Sequence, residues 1–354
     1  MKILVCGGAG FIGSTFVRRR LTQTADELVV LDKLTYAGNR ANLSDIEGDP
    51  SLSIRYGFVH GDIADPTVIR KLVVNADVDA VVNFAAESHV DRSILDAEAF
   101  LRTGVVGVHI LLEATRTLAA ARSASGRRPP RFVQVSTDEV YGSVPVGSSV
   151  ETDVLAPASP YSAAKAAGEL LVQSYRATYG LDTLITRGSN TYGPFQYPEK
   201  VVPLFITNAL QNLALPLYGD GLQRRDWLHV DDHADAIGVV LDRGEPGGVY
   251  NIPGTGERAN VDLTRAILAQ LDCPWSLVRT VEDRAGHDRR YAMDGSRLAA
   301  IGWSHRVAFE GGLADTIAWY RANEEWWRPL LNADWTAYYD RQYRKRLAES
   351  VPRG

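Results

Sequence analysis

The amino-acid sequence predicts an α/β chain, with a doubly wound parallel sheet first and a smaller, mixed lobe after it. Three observations lead there. Short apolar runs alternate with helical stretches from the first residue, the βαβ rhythm that sets parallel strands side by side through right-handed crossovers. A glycine cluster, Gly7-Gly8-Ala9-Gly10-Phe11-Ile12-Gly13, separates the first run from the first helix. After about Asn190 the alternation loosens and breaker-rich turns take over.

In order, the strands fall at Lys2–Cys6, Leu28–Leu31, Ile54–His60, Ala80–Phe84, Arg131–Ser136 and Leu181–Arg187, with helices such as Phe11–Thr22, Pro66–Asn75 and Ala97–Ala121 between them. The polar stretch Arg122–Pro130 extends one helix–strand connection over the surface. Tyr192-Gly193-Pro194, Tyr218-Gly219-Asp220-Gly221 and Pro253-Gly254-Thr255-Gly256 then punctuate shorter elements. Trp326, Trp327, Trp335 and Tyr338–Tyr339 fit helix packing better than a ligand cage, and Ser350-Val351-Pro352-Arg353-Gly354 reads as an irregular tail. The expected division is a dinucleotide-binding domain with the catalytic residues at 1–189 and a mainly substrate-binding lobe at 190–354, some of whose segments return to the first.

Composition narrows the class. The 354 residues are 45% hydrophobic and 23% charged, enough apolar material for a sizeable core. A net charge of −5 argues against nucleic acid or an anionic membrane as the main partner. Two cysteines, Cys6 and Cys273, make neither a disulfide framework nor a zinc cluster, and His89, His229 and His233 are too scattered to suggest a metal. No secretory leader precedes the first strand and no apolar run approaches membrane-spanning length, so a cytoplasmic protein is expected.

Gly8, Gly10 and Gly13 satisfy G-x-G-x-x-G between a strand and a helix, the setting in which that motif holds a dinucleotide pyrophosphate at a helix N-terminus. Asp32 ends the second strand, where a carboxylate bonds ribose hydroxyls and repels a 2′-phosphate; this favours NAD over NADP. Lys33, next to it, can partner a phosphate. Asp62-Ile63 and Ala85-Ala86 end the third and fourth strands, at an adenine edge and along the backbone path of the cofactor.

The most informative run is Val135-Ser136-Thr137-Asp138-Glu139-Val140-Tyr141-Gly142. An isolated Asp-Glu pair is usually solvated surface. Here it follows a hydrophobic strand, at the edge where open α/β sheets bind ligands. Tyr161 and Lys165 stand four apart, on one face of a helix. Two carboxylates with such a tyrosine point to proton transfers coupled to hydride transfer.

Together these motifs resemble the extended short-chain dehydrogenase/reductase family, and within it the nucleotide-sugar 4,6-dehydratases of the dTDP-glucose type. The resemblance runs from Lys2 to about Pro329 and also rests on Asp-Lys-Leu-Thr-Tyr-Ala-Gly-Asn (32–39), Ala-Ala-Glu-Ser-His-Val-Asp-Arg-Ser (85–93), Pro-Glu-Lys (198–200), Arg-Asp-Trp-Leu-His-Val-Asp-Asp-His (225–233) and Gly-His-Asp-Arg-Arg-Tyr (286–291). It implies a Rossmann-type sheet and NAD as cofactor. Its cofactor contacts fall on Gly7, Gly10, Phe11, Ile12, Gly13, Asp32, Lys33, Thr35, Gly38, Asp62, Ile63, Ala85, Ala86, Ser88, Tyr161, Lys165 and Asn190. The nucleotide-sugar contacts fall on Ser88, Thr137, Asp138, Glu139, Asn190, Lys200, Pro216, Tyr218, Arg225, Asn260, Arg284, His287 and Tyr291, with Glu87 also near the sugar. Of these, Lys200, Arg225 and Arg284 suit a diphosphate.

The implied reaction begins with Tyr161 taking the 4-hydroxyl proton, its pKa lowered by Lys165 and the cationic cofactor, while Thr137 bonds the same oxygen. Glu139 then removes the carbon 5 proton and Asp138 protonates the departing carbon 6 hydroxyl. A sugar epimerase or decarboxylase of the superfamily is the alternative enzyme, disfavoured by Asp138-Glu139. A catalytically silent NAD-binding regulator is the other, disfavoured by the intact Tyr161/Lys165 pair. The helices near Ala97–Ala121 and Tyr161–Tyr179 resemble the pair through which the family forms homodimers. Four positions depart from its pattern: Cys6 for threonine, Gly104 for an asparagine near the lysine's proton path, Gly188 for cysteine and Thr191 for asparagine. The Gly104 change predicts an extra water, or a side chain from a neighbouring element, in the vacated space beside Lys165, with turnover equal or higher when asparagine is restored.

Overall fold

The computed structural model describes residues 1–283 and 286–352, the last two by backbone alone. Its strands in chain order are β1 (Lys2–Cys6), β2 (Glu27–Asp32), β3 (Tyr56–His60), β4 (Ala80–Asn83), β5 (Arg131–Thr137), β6 (Asp182–Gly188), β7 (Asn190–Tyr192), β8 (Leu215–Tyr218), β9 (Arg224–His229), β10 (Val249–Ile252), β11 (Glu257–Ala259), β12 (Val278–Val281) and β13 (Val351–Pro352). Seven of them make one parallel sheet in the order β3-β2-β1-β4-β5-β6-β10. The six strands read from the sequence are all present, with ends shifted by no more than two residues. The seventh comes from the second half of the chain, where Val249–Ile252 lies in register with Ile185–Gly188.

Successive strand residues point to opposite faces, and both faces here are covered. Ile3 and Val5 join one core with Phe16, Val30 and Ile237; Leu4 and Cys6 join another with Leu111, Phe132 and Val172. Burial on both sides is why the strands read as unbroken apolar runs. Helices α1 (Phe11–Gln23), α2 (Val108–Ala124), α3 (Pro160–Tyr179) and α4 (Val230–Arg243) supply the cover. The first core draws on α1 and α4, the second on α2 and α3. A two-pronged bond from Arg19 to Asp235, 2.5 Å on each arm, ties α1 to α4.

Local chemistry fixes α3, which carries the Tyr161/Lys165 pair. Ser159 caps its N-terminus reciprocally with Ser162, at 3.1 and 3.0 Å, and Pro160 takes the first turn. Gly180 stops it in the left-handed conformation at φ 69°.

The second lobe holds two small sheets, β7-β9-β11 and β8-β12-β13. Its own core gathers Phe205, Trp227, Tyr320, Trp327 and Trp335, so the late aromatic residues pack between elements as expected. Part of the expected irregular tail is ordered: Val351–Pro352 pairs antiparallel with β12, while Arg353 and Gly354 lie outside the described residues.

Two expectations about the segment ahead of α2 need correction. Helical backbone runs unbroken from Glu98 to Ala124 through a wide turn at Arg102–Gly107, and this stretch is long and apolar enough to cross a membrane by length and composition; half of its most apolar window is buried inside the fold. Gly104 also leaves no free room for a restored asparagine, because Ala164 of α3 already takes the space. A Cβ there would stand 3.3 Å from the Ala164 Cβ and carbonyl oxygen, and one at Gly168 would stand 2.7 Å from the Gly104 carbonyl. The two glycines let the helices touch backbone to backbone. Gly168→Ala is therefore expected to cost about 1–3 kcal/mol, as overpacking does, with a smaller loss for Gly104→Asn. Urea unfolding of both variants checks this; wild-type midpoints would show that the helices can part freely.

Candidate active site

The carboxyl ends of β1, β2, β4, β5 and β6 open into one large cavity, and every cofactor contact that the resemblance implies lines it. The glycine turn at its floor has a different working spacing from the one read first. Gly7, at φ 73°, makes the turn, and a Cβ on it would meet the Ala85 backbone nitrogen at 2.6 Å. A Cβ on Gly13 would meet the Gly7 carbonyl at 2.3 Å. Gly8 lies outside the lining and instead makes room for Val30. The cradle is thus Gly7, Gly10 and Gly13, at the N-terminus of α1, where backbone N–H groups and the helix dipole favour a phosphate.

Asp32 is held by two backbone N–H groups, Leu34 on Oδ1 at 2.8 Å and Ala9 on Oδ2 at 2.9 Å. Burial raises its pKa, and those two bonds pull the other way. Lys33 is committed elsewhere than expected: its ammonium pairs with Asp62 at 2.8 Å, closing the cavity edge where a phosphate partner was anticipated. Cys6, the replaced threonine, sits wholly in the core, where burial and then Asp32 push its thiol up and leave it inert.

The chemistry gathers where β5 ends. Thr137 caps the short turn Asp138–Tyr141, accepting from the Glu139 amide at 3.3 Å and donating to Asp138 Oδ1 at 3.1 Å. Asp138 is buried and its Oδ2 has no protein partner. Burial, reinforced by the neighbouring Glu139, pushes its pKa up to about 8, so this carboxyl is mostly protonated at neutral pH. Glu139, half-buried, completes the pair. Across the cavity Lys165 donates to the Val135 carbonyl at 2.5 Å, and burial draws its pKa down to about 8. Tyr161 differs from expectation. Burial, then Glu139, raises its phenol, against a bond from Thr137 that lowers it.

Of the expected sugar-nucleotide contacts, Ser88, Thr137, Asp138, Glu139, Asn190 and Lys200 line the cavity, and Lys200 donates to the Ser88 carbonyl at 2.5 Å. Pro216, Tyr218, Arg225, Asn260, His287 and Tyr291 belong to the second lobe and lie outside that lining. Arg225 and Tyr291 nevertheless face the carboxylates: the Arg225 guanidinium sits 4.4 Å over the Tyr291 ring, favours ionised Asp138, and Glu139 acts on Tyr291. Tyr218 donates to Asp91 at 3.2 Å and stands against His287, whose Nδ1 meets Asp283 at 2.6 Å. Asn260 leaves a buried Oδ1 without a partner. Arg284 lies outside the described residues.

Several lining residues escaped the sequence reading: Thr103, Gln196, Tyr197, Glu199 and His233. Three of them stand within four residues of Lys200, so proximity to a recognised motif was the available signal. His233 closes the recognised motif 225–233, but only its place on α4 shows that it faces the cavity.

Comparison with known proteins follows this geometry closely. A family model described as GDP-mannose 4,6 dehydratase matches residues 4–316. The dTDP-glucose 4,6-dehydratase of Streptomyces niveus is 49% identical over 341 residues, 94% of this chain and 97% of its own. The dTDP-glucose 4,6-dehydratase 1 of Escherichia coli K12 is 44% identical over 98% of this chain and 100% of its own. The crystal structure of the dTDP-glucose 4,6-dehydratase DesIV from Streptomyces venezuelae, solved with NAD bound, superposes with a TM-score of 0.87 at 50% identity. The match covers 93% of this chain and 100% of that one.

The raised Asp138 pKa carries a stability consequence of definite sign. The folded chain holds this proton up to about pH 8, against an ordinary value of 3.8, so stability is lost as pH climbs between the two. Asp138→Asn removes that loss. Its unfolding free energy should rise relative to wild type from pH 4 to pH 8, by on the order of a few kcal/mol in total, read by urea unfolding at each pH. Parallel pH profiles for the two proteins would mean the carboxyl is solvated.

Proposed function

This chain belongs to the nucleotide-sugar 4,6-dehydratase family, and from that premise we propose that it converts dTDP-glucose to dTDP-4-keto-6-deoxyglucose with NAD as a resident hydride carrier. The carrying observation is the pair at the end of β5: a buried, protonated Asp138 beside a half-buried Glu139, within one cavity with Tyr161 and Lys165. A protonated carboxyl beside a second one is the arrangement from which an elimination can draw its acid.

The protein fits the cofactor. Gly7, Gly10 and Gly13 leave a backbone cradle that any Cβ would fill, and Asp32 is held rigidly where ribose hydroxyls bind. Bound NAD+ would take the hydride from carbon 4 and give it back at carbon 6. Tyr161, steadied by Thr137, accepts the 4-hydroxyl proton. Since the fold raises the phenol, its ionisation depends on the positive charge that arrives with the oxidised cofactor. Glu139 removes the proton of carbon 5, which the adjacent ketone has acidified, Asp138 protonates the departing 6-hydroxyl, and Glu139 gives its proton back to carbon 5 as the hydride reaches carbon 6. Lys200 and Arg225 suit the diphosphate, and Tyr218, Asn260 and His287 the base. The product class is a 4-keto-6-deoxysugar nucleotide for deoxysugar biosynthesis.

The exposed apolar residues Leu101, Val106, Leu170 and Tyr179 lie along the Glu98–Ala124 helix and α3. A homodimer packed on this face would cover them, in a cytoplasmic enzyme with reduced Cys6 and Cys273. Leu101→Glu with Leu170→Glu should halve the mass by sedimentation; an unchanged mass would move the interface elsewhere.

Separate incubations with dTDP-glucose, UDP-glucose and GDP-mannose test the reading, scored by the absorbance of the 4-keto-6-deoxy product in base. Only the first should turn over well, without added NAD+ and without net NADH. A stoichiometric need for NAD+ would indicate a simple dehydrogenase. Asp138→Asn should still exchange the carbon 5 proton but eliminate water slowly, whereas Glu139→Gln should fail to exchange it. Each loss should be on the order of 10²–10⁴-fold. Near-normal turnover in both would overturn the assignment.

A further inference from the structure

Gly188, where β6 ends, and His233, on α4, occupy one another's space. A Cβ on Gly188 would stand 2.4 Å from the His233 Cε1 and 2.5 Å from its Nε2, so the imidazole fills the volume a side chain at 188 would need. Both residues line the cavity, with Lys165, Ser189 and Asn190. His233 is only 2% exposed, and its Nε2 has no hydrogen-bond partner among the described residues.

The other ring nitrogen settles the tautomer. His233 Nδ1 lies 2.8 Å from Thr191 Oγ1, and that hydroxyl donates to the Ser189 carbonyl at 3.0 Å. A hydroxyl has one proton to give and the carbonyl can only accept, so Nδ1 is the donor towards Thr191. Nε2 is then a bare acceptor, desolvated at the cavity wall. Burial holds the imidazole neutral, with a pKa of about 3. A buried acceptor left unmade is costly, so a ligand donor at this point is worth binding energy.

Direction identifies the donor. Helix α4 covers the sheet face opposite α3, so His233 reaches the cavity from the side away from Tyr161, where the reacting sugar must sit. A hydride carrier lies between that sugar and the sheet, and its nicotinamide carries an amide with two N–H groups. We propose that His233 is a positioning residue for the cofactor, accepting a hydrogen bond from the nicotinamide carboxamide through Nε2, with Gly188 giving the ring room and Thr191 fixing its tautomer. This rests on NAD occupying the cavity, as proposed above.

The test uses an analogue that lacks the donor. In 3-acetylpyridine adenine dinucleotide a methyl ketone replaces the amide and has no N–H. Equilibrium dialysis of labelled NAD, competed by NAD or by the analogue, should show wild type preferring NAD on the order of tenfold. His233→Phe should bring that ratio towards one, while His233→Gln, whose amide oxygen also accepts, should keep most of it. Should His233→Phe fold poorly by thermal melting, Gly188→Cys reads the same ratio, because it displaces the ring without removing it. An equal ratio in wild type and in whichever variant folds overturns the role of His233. Failure of wild type to bind NAD at all would instead overturn the cofactor reading on which it stands.

Discussion

A carboxyl withdrawn from water beside a second carboxylate loses its ease of ionisation, and this fold puts Asp138 in that position. It follows the last residue of β5, a strand buried along its whole length between β4 and β6. The backbone there has no freedom to swing the side chain into solvent. Moving Asp138 would mean moving the middle of the sheet. The division between a protonated acid and its neighbour is therefore set by chain position before any ligand enters. Thr137 caps the turn that presents both groups, so one residue fixes the pair and also reaches Tyr161.

The same desolvation acts on the whole site and favours neutral forms. It raises Asp138 and Tyr161 and lowers Lys165. With Asp138 and Tyr161 desolvated and favoured in their neutral forms, a charge arriving with a ligand counts for more beside them than it would in water. Oxidised nicotinamide brings a positive charge, and the phenol is the group positioned to answer it. On the proposed mechanism, proton abstraction is thereby coupled to the presence of the hydride acceptor, a physical reason for the cofactor to stay bound through turnover.

Legibility in the sequence followed the range of the interaction. Strands, the glycine turn and the Thr-Asp-Glu run were readable because each is local: apolar runs, a backbone demand and adjacent side chains. What depended on distant partners was not. Gly7 rather than Gly8 proved the turn residue, because only the approach of Ala85 reveals which glycine can bear no side chain. Lys33 looked like a phosphate ligand until Asp62 was beside it. Gly104 looked like a missing side chain, and only the facing Gly168 shows it to be a helix contact. The sign of the Tyr161 shift was missed for a related reason: charge neighbours can be guessed from a motif, but burial cannot.

One buried network explains why the pieces hold their places. Arg187 on β6 forks onto Glu169 of α3 at 3.0 and 2.6 Å, with both side chains almost fully buried. Its other arm donates to the Tyr141 hydroxyl at 2.6 Å, and that hydroxyl donates to Asn251 of β10 at 2.8 Å. The chain of bonds joins the helix carrying Tyr161 and Lys165, the turn carrying Asp138 and Glu139, and the late strand that closes the sheet. A buried ion pair adds little net stability by itself, yet losing one partner strands a charge at a cost of about 3–5 kcal/mol. The network thus penalises misplacement more than it rewards folding. That asymmetry suits a site whose paired carboxyls and phenol come from two separate segments, the turn after β5 and the helix α3.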